Sequence, residues 1–149
     1  MSTKRRIGFT LVEVLIVVVI MAILAATIIP QFSDSSKDAK ESNLRFNLHT
    51  LRSQIELYKS QHDGVVPQTA NLRELSNKTD LAGALGNTRT HKFGPYIRQI
   101  PANPFTDSNS VLLITVTPAT IAQVTANDGW LYHQPTGEIW INHADYVSE

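Results

Sequence analysis

Lys4-Arg5-Arg6-Ile7-Gly8-Phe9-Thr10-Leu11-Val12-Glu13, followed by the apolar run Val14 to Ile29 that Pro30 interrupts, is the stretch on which this chain turns. From Phe9 to Ile29 there are 21 residues, and Glu13 is the only charged one. A helix rising about 1.5 Å per residue would carry that run across a hydrocarbon core of roughly 30 Å. The basic cluster before it predicts a cytoplasmic N-terminus and a C-terminal part on the far side of the membrane. A cleaved secretory signal shares the basic start and apolar middle. Against it, the A-x-A candidates Ile23/Ala25 and Leu24/Ala26 each begin with a large apolar residue, and a carboxylate early in the run is out of place.

Glu13 is the unusual residue. An isolated carboxylate inside a bilayer costs on the order of a few kcal/mol, so it marks a functional position and calls for a partner. The available one is a positive group on a neighbouring copy of the chain. Gly8-Phe9-Thr10-Leu11-Val12-Glu13, with its basic leader and with Pro30 beyond, resembles the N-terminus of type IV pilins and type II secretion pseudopilins. The resemblance implies that a prepilin peptidase cuts between Gly8 and Phe9 and methylates the Phe9 amine. It further implies that the apolar helix anchors the subunit in the inner membrane, and that Glu13 guides docking onto a growing filament. An amine at Phe9 would lie one helical turn from Glu13, so a pair formed between subunits would remove both unpaired charges.

The 149 residues and zero formal net charge bound the rest. Beyond the leader and the apolar run about 120 residues remain, enough for one small domain. Without Lys4, Arg5 and Arg6 the acidic residues outnumber the basic ones by three, which argues against a nucleic-acid binder held by phosphate contacts. With no cysteine, there is no disulfide, no thiol nucleophile and no cysteine metal site.

After the polar stretch Ser33 to Asp38, Leu44, Leu48, Leu51, Ile55 and Tyr58 recur at helical steps and form one apolar stripe. The pattern predicts one long helix from Phe9 to about His62, kinked or locally melted near Pro30. Lys37, Asp38, Lys40, Glu41 and Arg45 read as a solvated face, with salt bridges between subunits as the sharper alternative. Asp63-Gly64 and Pro67 end the helix. Thr69 or Asn71 is suited to cap a short helix through Leu72 and Leu75, reaching as far as Leu85.

Tyr96, Ile97, Ile100 and Phe105 are apolar anchors in the proline-pinned loop Gly94 to Phe105, and should bury between helix and sheet. That loop resembles the Gly-x-Tyr-Ile-x-x-Leu-Pro-x-Asp-Pro-Trp segment of the G-type major pseudopilin, with Asn103 in place of the acid and Phe105 in place of the Trp. Val111 to Thr117, Trp130 to His133 and Glu138 to Asn142 read as strands, the last two flanking a Gln134-Pro135-Thr136-Gly137 hairpin. Ile121 to Thr125 is a candidate fourth strand. Trp130, Tyr132 and Trp140 read as same-face core of the hairpin rather than an exposed patch.

None of the five histidines forms an H-E-x-x-H pair, and there is no G-x-S-x-G, P-loop or G-x-G-x-x-G, so no catalytic constellation emerges. G-type major pseudopilins carry a calcium site in their C-terminal loops. Oxygen ligands on offer here are Asp107, Asn109 and Asp128, with Ser108 and Asn127. The family's acidic loop is replaced by the hairpin, however, and a plain turn without metal is the preferred reading.

The expected fold is α+β and pilin-like, a long N-terminal helix packed on three or four antiparallel strands. Its expected segments are a cleaved leader (1–8), a transmembrane and filament-core helix (9–30) and a periplasmic domain (31–149). By resemblance it is a structural, non-enzymatic subunit of a type II secretion-like pseudopilus, a helical homopolymer in the periplasm that drives protein export. The implied partners are further copies of itself, minor pseudopilins, prepilin peptidase, an inner-membrane platform protein, an assembly ATPase and the inner membrane. A type IV pilin for motility, adhesion or DNA uptake is the alternative. No cofactor is implied beyond the calcium option.

Overall fold

The structure is a computed structural model and describes residues 9–149. Helix α1 runs Leu11–Gln61. It contributes to two compact units, one ending at Ala39 and the other Lys40–Glu149. Helical hydrogen bonding carries on through Pro30, so the local melting expected there is absent. A proline in a helix removes one donor, a loss the neighbouring turns here tolerate.

Within the first unit the segment Leu11–Ile29 is exposed all round in the single chain. Its one hydroxyl in the lower part, Thr27 Oγ1, donates to Leu24 O at 2.9 Å. Bonding back to its own helix satisfies the hydroxyl without a water molecule, as a lipid environment requires.

In the second unit the stripe is realised as read. Leu44, Leu48, Leu51, Ile55 and Tyr58 are all buried, and His62 continues the same face. Each such residue taken out of water contributes about 1.5–3 kcal/mol. The helix stops where Asp63 (φ 52°) and Gly64 (φ 85°) turn left-handed. Gly64 N then donates to Lys59 O at 2.9 Å, closing the last carbonyls in the usual glycine-terminated manner.

A three-stranded sheet covers the stripe: β1 (Val111–Leu113), β2 (Trp130–His133) and β3 (Glu138–Ile141), in that spatial order. β2 and β3 form the antiparallel hairpin, with Leu131 opposite Trp140. β1, however, pairs with β2 in parallel, Leu112 opposite Leu131, where an antiparallel neighbour was expected. The connection from Leu113 to Trp130 is long enough to return the chain to its starting end, which a parallel neighbour requires and a tight turn cannot provide. That connection contains the 3-10 turn Ile121–Gln123, which corrects the proposed fourth strand.

The sheet is buried on both faces. Val111, Trp130, Tyr132, Ile139 and Ile141 face the α1 stripe, with Ile100 buried among them and Tyr96, Ile97 and Phe105 packed at the edge. Leu131 and Trp140 point the other way, into a second cluster with Ile114, Ala119 and Val147. Trp140 is therefore core, but on the opposite face from Trp130 and Tyr132, because residues paired across a hairpin share a face and Trp140 pairs with Leu131. The short helix is brief too: a 3-10 turn Ala70–Leu72 runs into α2, Arg73–Ser76, and stops well before Leu85.

Candidate functional site

The N-terminal end of α1 is the first candidate. Gly8, half of the expected processing site, lies outside the described residues; Phe9 is exposed. Glu13 sits in the first turn, and its Oε2 accepts from Thr10 N at 2.8 Å and from Thr10 Oγ1 at 2.8 Å. Glu13 N in turn donates to Thr10 Oγ1 at 3.2 Å. This reciprocal pair is a capping box, with Thr10 as N-cap and Glu13 three residues on. It satisfies amide groups that a helix start leaves without partners, and it places a negative charge at the positive end of the helix dipole. Oε1 takes no bond from the described residues, so this arrangement keeps one oxygen available to a cation from outside the chain. Thr10 received no role from the sequence reading, although the Thr-x-x-Glu spacing is the signal that marks it.

Of the charged residues that follow, Lys37, Asp38 and Lys40 are exposed, while Glu41 and Arg45 have partners inside the chain. Arg45 bonds Glu41 at 2.7 Å and Glu149 at 2.9 Å. Hydrogen bonding from Arg45 holds the Glu149 carboxyl below its usual range. Tyr146 Oη donates to Glu41 at 3.3 Å.

The loops around residues 103–128 are the second candidate. Asp107 is exposed in a turn, where it (φ 53°) donates its N–H to Asn103 O at 2.8 Å, and Asn109 is exposed just beyond that turn. Asp128 faces a different way: Oδ1 accepts from Ser110 Oγ at 2.8 Å and Oδ2 from Thr125 Oγ1 at 2.9 Å. Among the described residues no three His, Asp or Glu side chains gather as a ligand set.

Backbone oxygens in these loops converge instead on amide nitrogens. Asn142, fully buried, donates from Nδ2 to Asp128 O at 2.6 Å, to Thr125 O at 3.0 Å and to Thr125 Oγ1 at 3.0 Å, while its Oδ1 accepts from Thr125 N at 2.8 Å. Asn103, equally buried, donates from Nδ2 to Gly129 O at 3.0 Å and accepts at Oδ1 from Phe105 N at 2.9 Å. An oxygen-ligated cation would need those carbonyls turned toward itself. With amide donors in their midst, and one hydroxyl-bonded carboxylate nearby, the loops do not fit a calcium ion. Asn142 was not singled out from the sequence, and a lone Asn at a strand end carries no signal there.

The remaining polar residues hold structure. His62 Nδ1 lies 2.8 Å from Tyr58 O and Nε2 lies 2.9 Å from Thr79 Oγ1. Buried Glu74 accepts from the backbone N–H of Gln68 at 2.8 Å and of Thr69 at 2.6 Å, and from the Thr69 hydroxyl.

Residues 3–29 match the family described as the Prokaryotic N-terminal methylation motif. The matched stretch leads into helix α1, whose later turns pack on the three-stranded sheet. More particularly, the chain is 29% identical over 105 residues to the type II secretion system core protein G of Aeromonas hydrophila, covering 70% of this chain and 71% of that protein. It is 26% identical over 102 residues to core protein G of Klebsiella pneumoniae, with 68% and 71% covered. For core protein G of Escherichia coli K12 the identity is 26% over 104 residues, covering 70% of each chain. No solved structure matches the chain. The one membrane-length apolar helix among the described residues and the motif fit a single-pass inner-membrane protein.

Proposed function

We propose that the protein is a structural subunit of a type II secretion-like pseudopilus, polymerising through its N-terminal helix into a periplasmic filament that drives protein export. The similarity to core protein G over most of the chain, joined to a methylation motif whose match takes in the membrane-length run, is the observation that carries this reading. A prepilin peptidase cuts between Gly8 and Phe9 and methylates the new amine. Residues 9–30 anchor the subunit, and residues 31–149 lie in the periplasm. A platform protein and an assembly ATPase lift subunits into the filament beside minor pseudopilins. Glu13, already held by Thr10 through one oxygen, receives the Phe9 amine of a neighbour through the other. The work is mechanical, and neither catalysis nor calcium is required for it.

The test is the intact mass and N-terminal residue of the protein purified from its own membranes. A chain beginning at N-methylated Phe9 is expected; one beginning at Met1, or cut near Ala26, sinks the reading. In the same cells Glu13→Leu is expected to insert into the membrane and remain unassembled. A Glu13→Leu chain that still forms filaments removes the docking role from this residue.

A further inference from the structure

The three-stranded sheet has two outer edges, and only one of them is closed. Between β2 and β3, Asn142 N donates to Gly129 O at 3.2 Å. By the alternation of an antiparallel ladder Leu131 then bonds Trp140, and the backbone groups of Ile139 and Ile141 point away from β2. Both residues are buried, and Arg52 donates to Ile139 O from Nε at 3.3 Å and from Nη2 at 3.1 Å.

β1 forms the other edge. Trp130 N donates to Ser110 O at 3.2 Å, and Ile114 N to Tyr132 O at 2.9 Å. Ser110, Leu112 and Ile114 therefore face β2, while Val111 and Leu113 turn their backbone groups outward. Asn71 Oδ1 accepts the Val111 N–H at 2.8 Å and covers the start of this edge. Leu113 has no such cover. It is 42% exposed, and neither its N–H nor its carbonyl has a partner among the described residues.

Native sheets commonly guard an open edge with charged side chains. Here no charged residue occurs from Asn109 to Asn127. The chain leaving β1 presents aliphatic side chains instead, Val116 at 60% exposure and Ile121 at 66%. Gln123 Nε2 donates to Val116 O at 3.2 Å, which folds the turn Ile121–Gln123 back toward Val116. Depletion of charge is the compositional mark of an interface centre.

We propose that the Leu113 edge of β1 takes up an extended, uncharged strand of a different protein, which adds to the sheet beyond β1. The Leu113 N–H and carbonyl bond the incoming backbone, and Leu113, Val116 and Ile121 offer its side chains an apolar contact. A second copy of this chain has no open β3 edge to bring. Only β1 against β1 is left to it, and such a two-fold contact stops at a dimer. In setting that pairing aside the proposal rests on the filament reading above, which needs contacts that continue. A strand held by the backbone of one residue binds weakly, and a filament repeating the edge in every subunit multiplies the hold on a partner with several such strands.

The probe is a capped hexapeptide of alternating Thr and Val, fluorescently labelled and titrated onto the purified full-length chain in detergent. Binding is read by anisotropy, and amide exchange over residues 111–116 is expected to slow as the wild type fills. Leu113→Pro removes an outward N–H, a loss that an edge position tolerates. It should melt with the wild type and bind the peptide about tenfold more weakly. Ile121→Lys, which leaves the backbone intact, should also weaken binding. The same peptide N-methylated at every residue has no donor to offer and should not bind. No binding by the wild type overturns the proposal, and so does equal binding by Leu113→Pro and by the N-methylated peptide. A wild-type dimer that Leu113→Pro dissociates assigns the edge to a second copy and likewise overturns it. In cells Leu113→Pro should form filaments at the wild-type yield; their loss would make the edge a filament contact and overturn the proposal. A wild-type chain that forms no filament removes the filament reading instead, and peptide binding to the purified chain still decides the edge.

Discussion

Asn142 and Asn103 show how much can depend on a single amide. An aspartate is almost the same size, but it has no N–H to offer, and at either position it would turn a carboxylate toward backbone carbonyls. Asn142→Asp is expected to lower stability by about 2–4 kcal/mol and Asn103→Asp by about 1–3 kcal/mol, the cost of leaving buried acceptors unpaired beside a charge. Denaturant unfolding of the purified full-length chain in detergent measures both; a loss within about 0.5 kcal/mol, typical of surface changes, would remove the role argued for these amides. Metal chelation belongs to the same question. EDTA is expected to leave the melting temperature unchanged, because the loop oxygens are already bonded to amides and hydroxyls. A clear downward shift on chelation, reversed by calcium, would contradict that.

At the scale of the element, α1 combines two helices with different surroundings. Leu51 is buried against the sheet, whereas Phe46, on the same helix, is 69% exposed. Leu51→Ala should cost about 2–5 kcal/mol through the cavity it leaves. Phe46→Ala should fall within about 0.5 kcal/mol. Equal losses in thermal unfolding of the two variants would mean that the stripe is wrongly placed. The stripe was legible beforehand because Leu44, Leu48, Leu51, Ile55 and Tyr58 repeat at the helical period, a local property of the chain. The end at Asp63-Gly64 was legible for the same reason, since left-handed backbone favours those residue types. Ile121 to Thr125 misled because β-branched residues favour strands only where a neighbouring strand is available, and here none is.

Across the whole molecule, all four tyrosines are held in the neutral form. Burial pushes Tyr58 up to about 12, assisted by Glu74, and burial likewise raises Tyr96, Tyr132 and Tyr146. An unfolded tyrosine ionises near 10, so above that pH the native chain binds more protons than the unfolded one. Stability is therefore fully present below about pH 10 and falls as pH rises toward 12. Absorbance of tyrosinate should stay low through pH 10 and then rise together with loss of circular dichroism. Half of the tyrosines ionising near pH 10 with the fold intact would contradict the burial described here.

The membrane-length run, the methylation motif, Glu13, the apolar stripe and the hairpin were all determined by the sequence, because each is encoded in neighbours or in a short period along the chain. Other features were decided only by the tertiary structure: the parallel pairing of β1, the placement of Trp140 on the far face, and the transfer of Asn71 from helix cap to a bond with Val111 N at 2.8 Å. Each of these depends on which distant segments meet, and a partner forty residues away leaves no periodicity in the sequence to read.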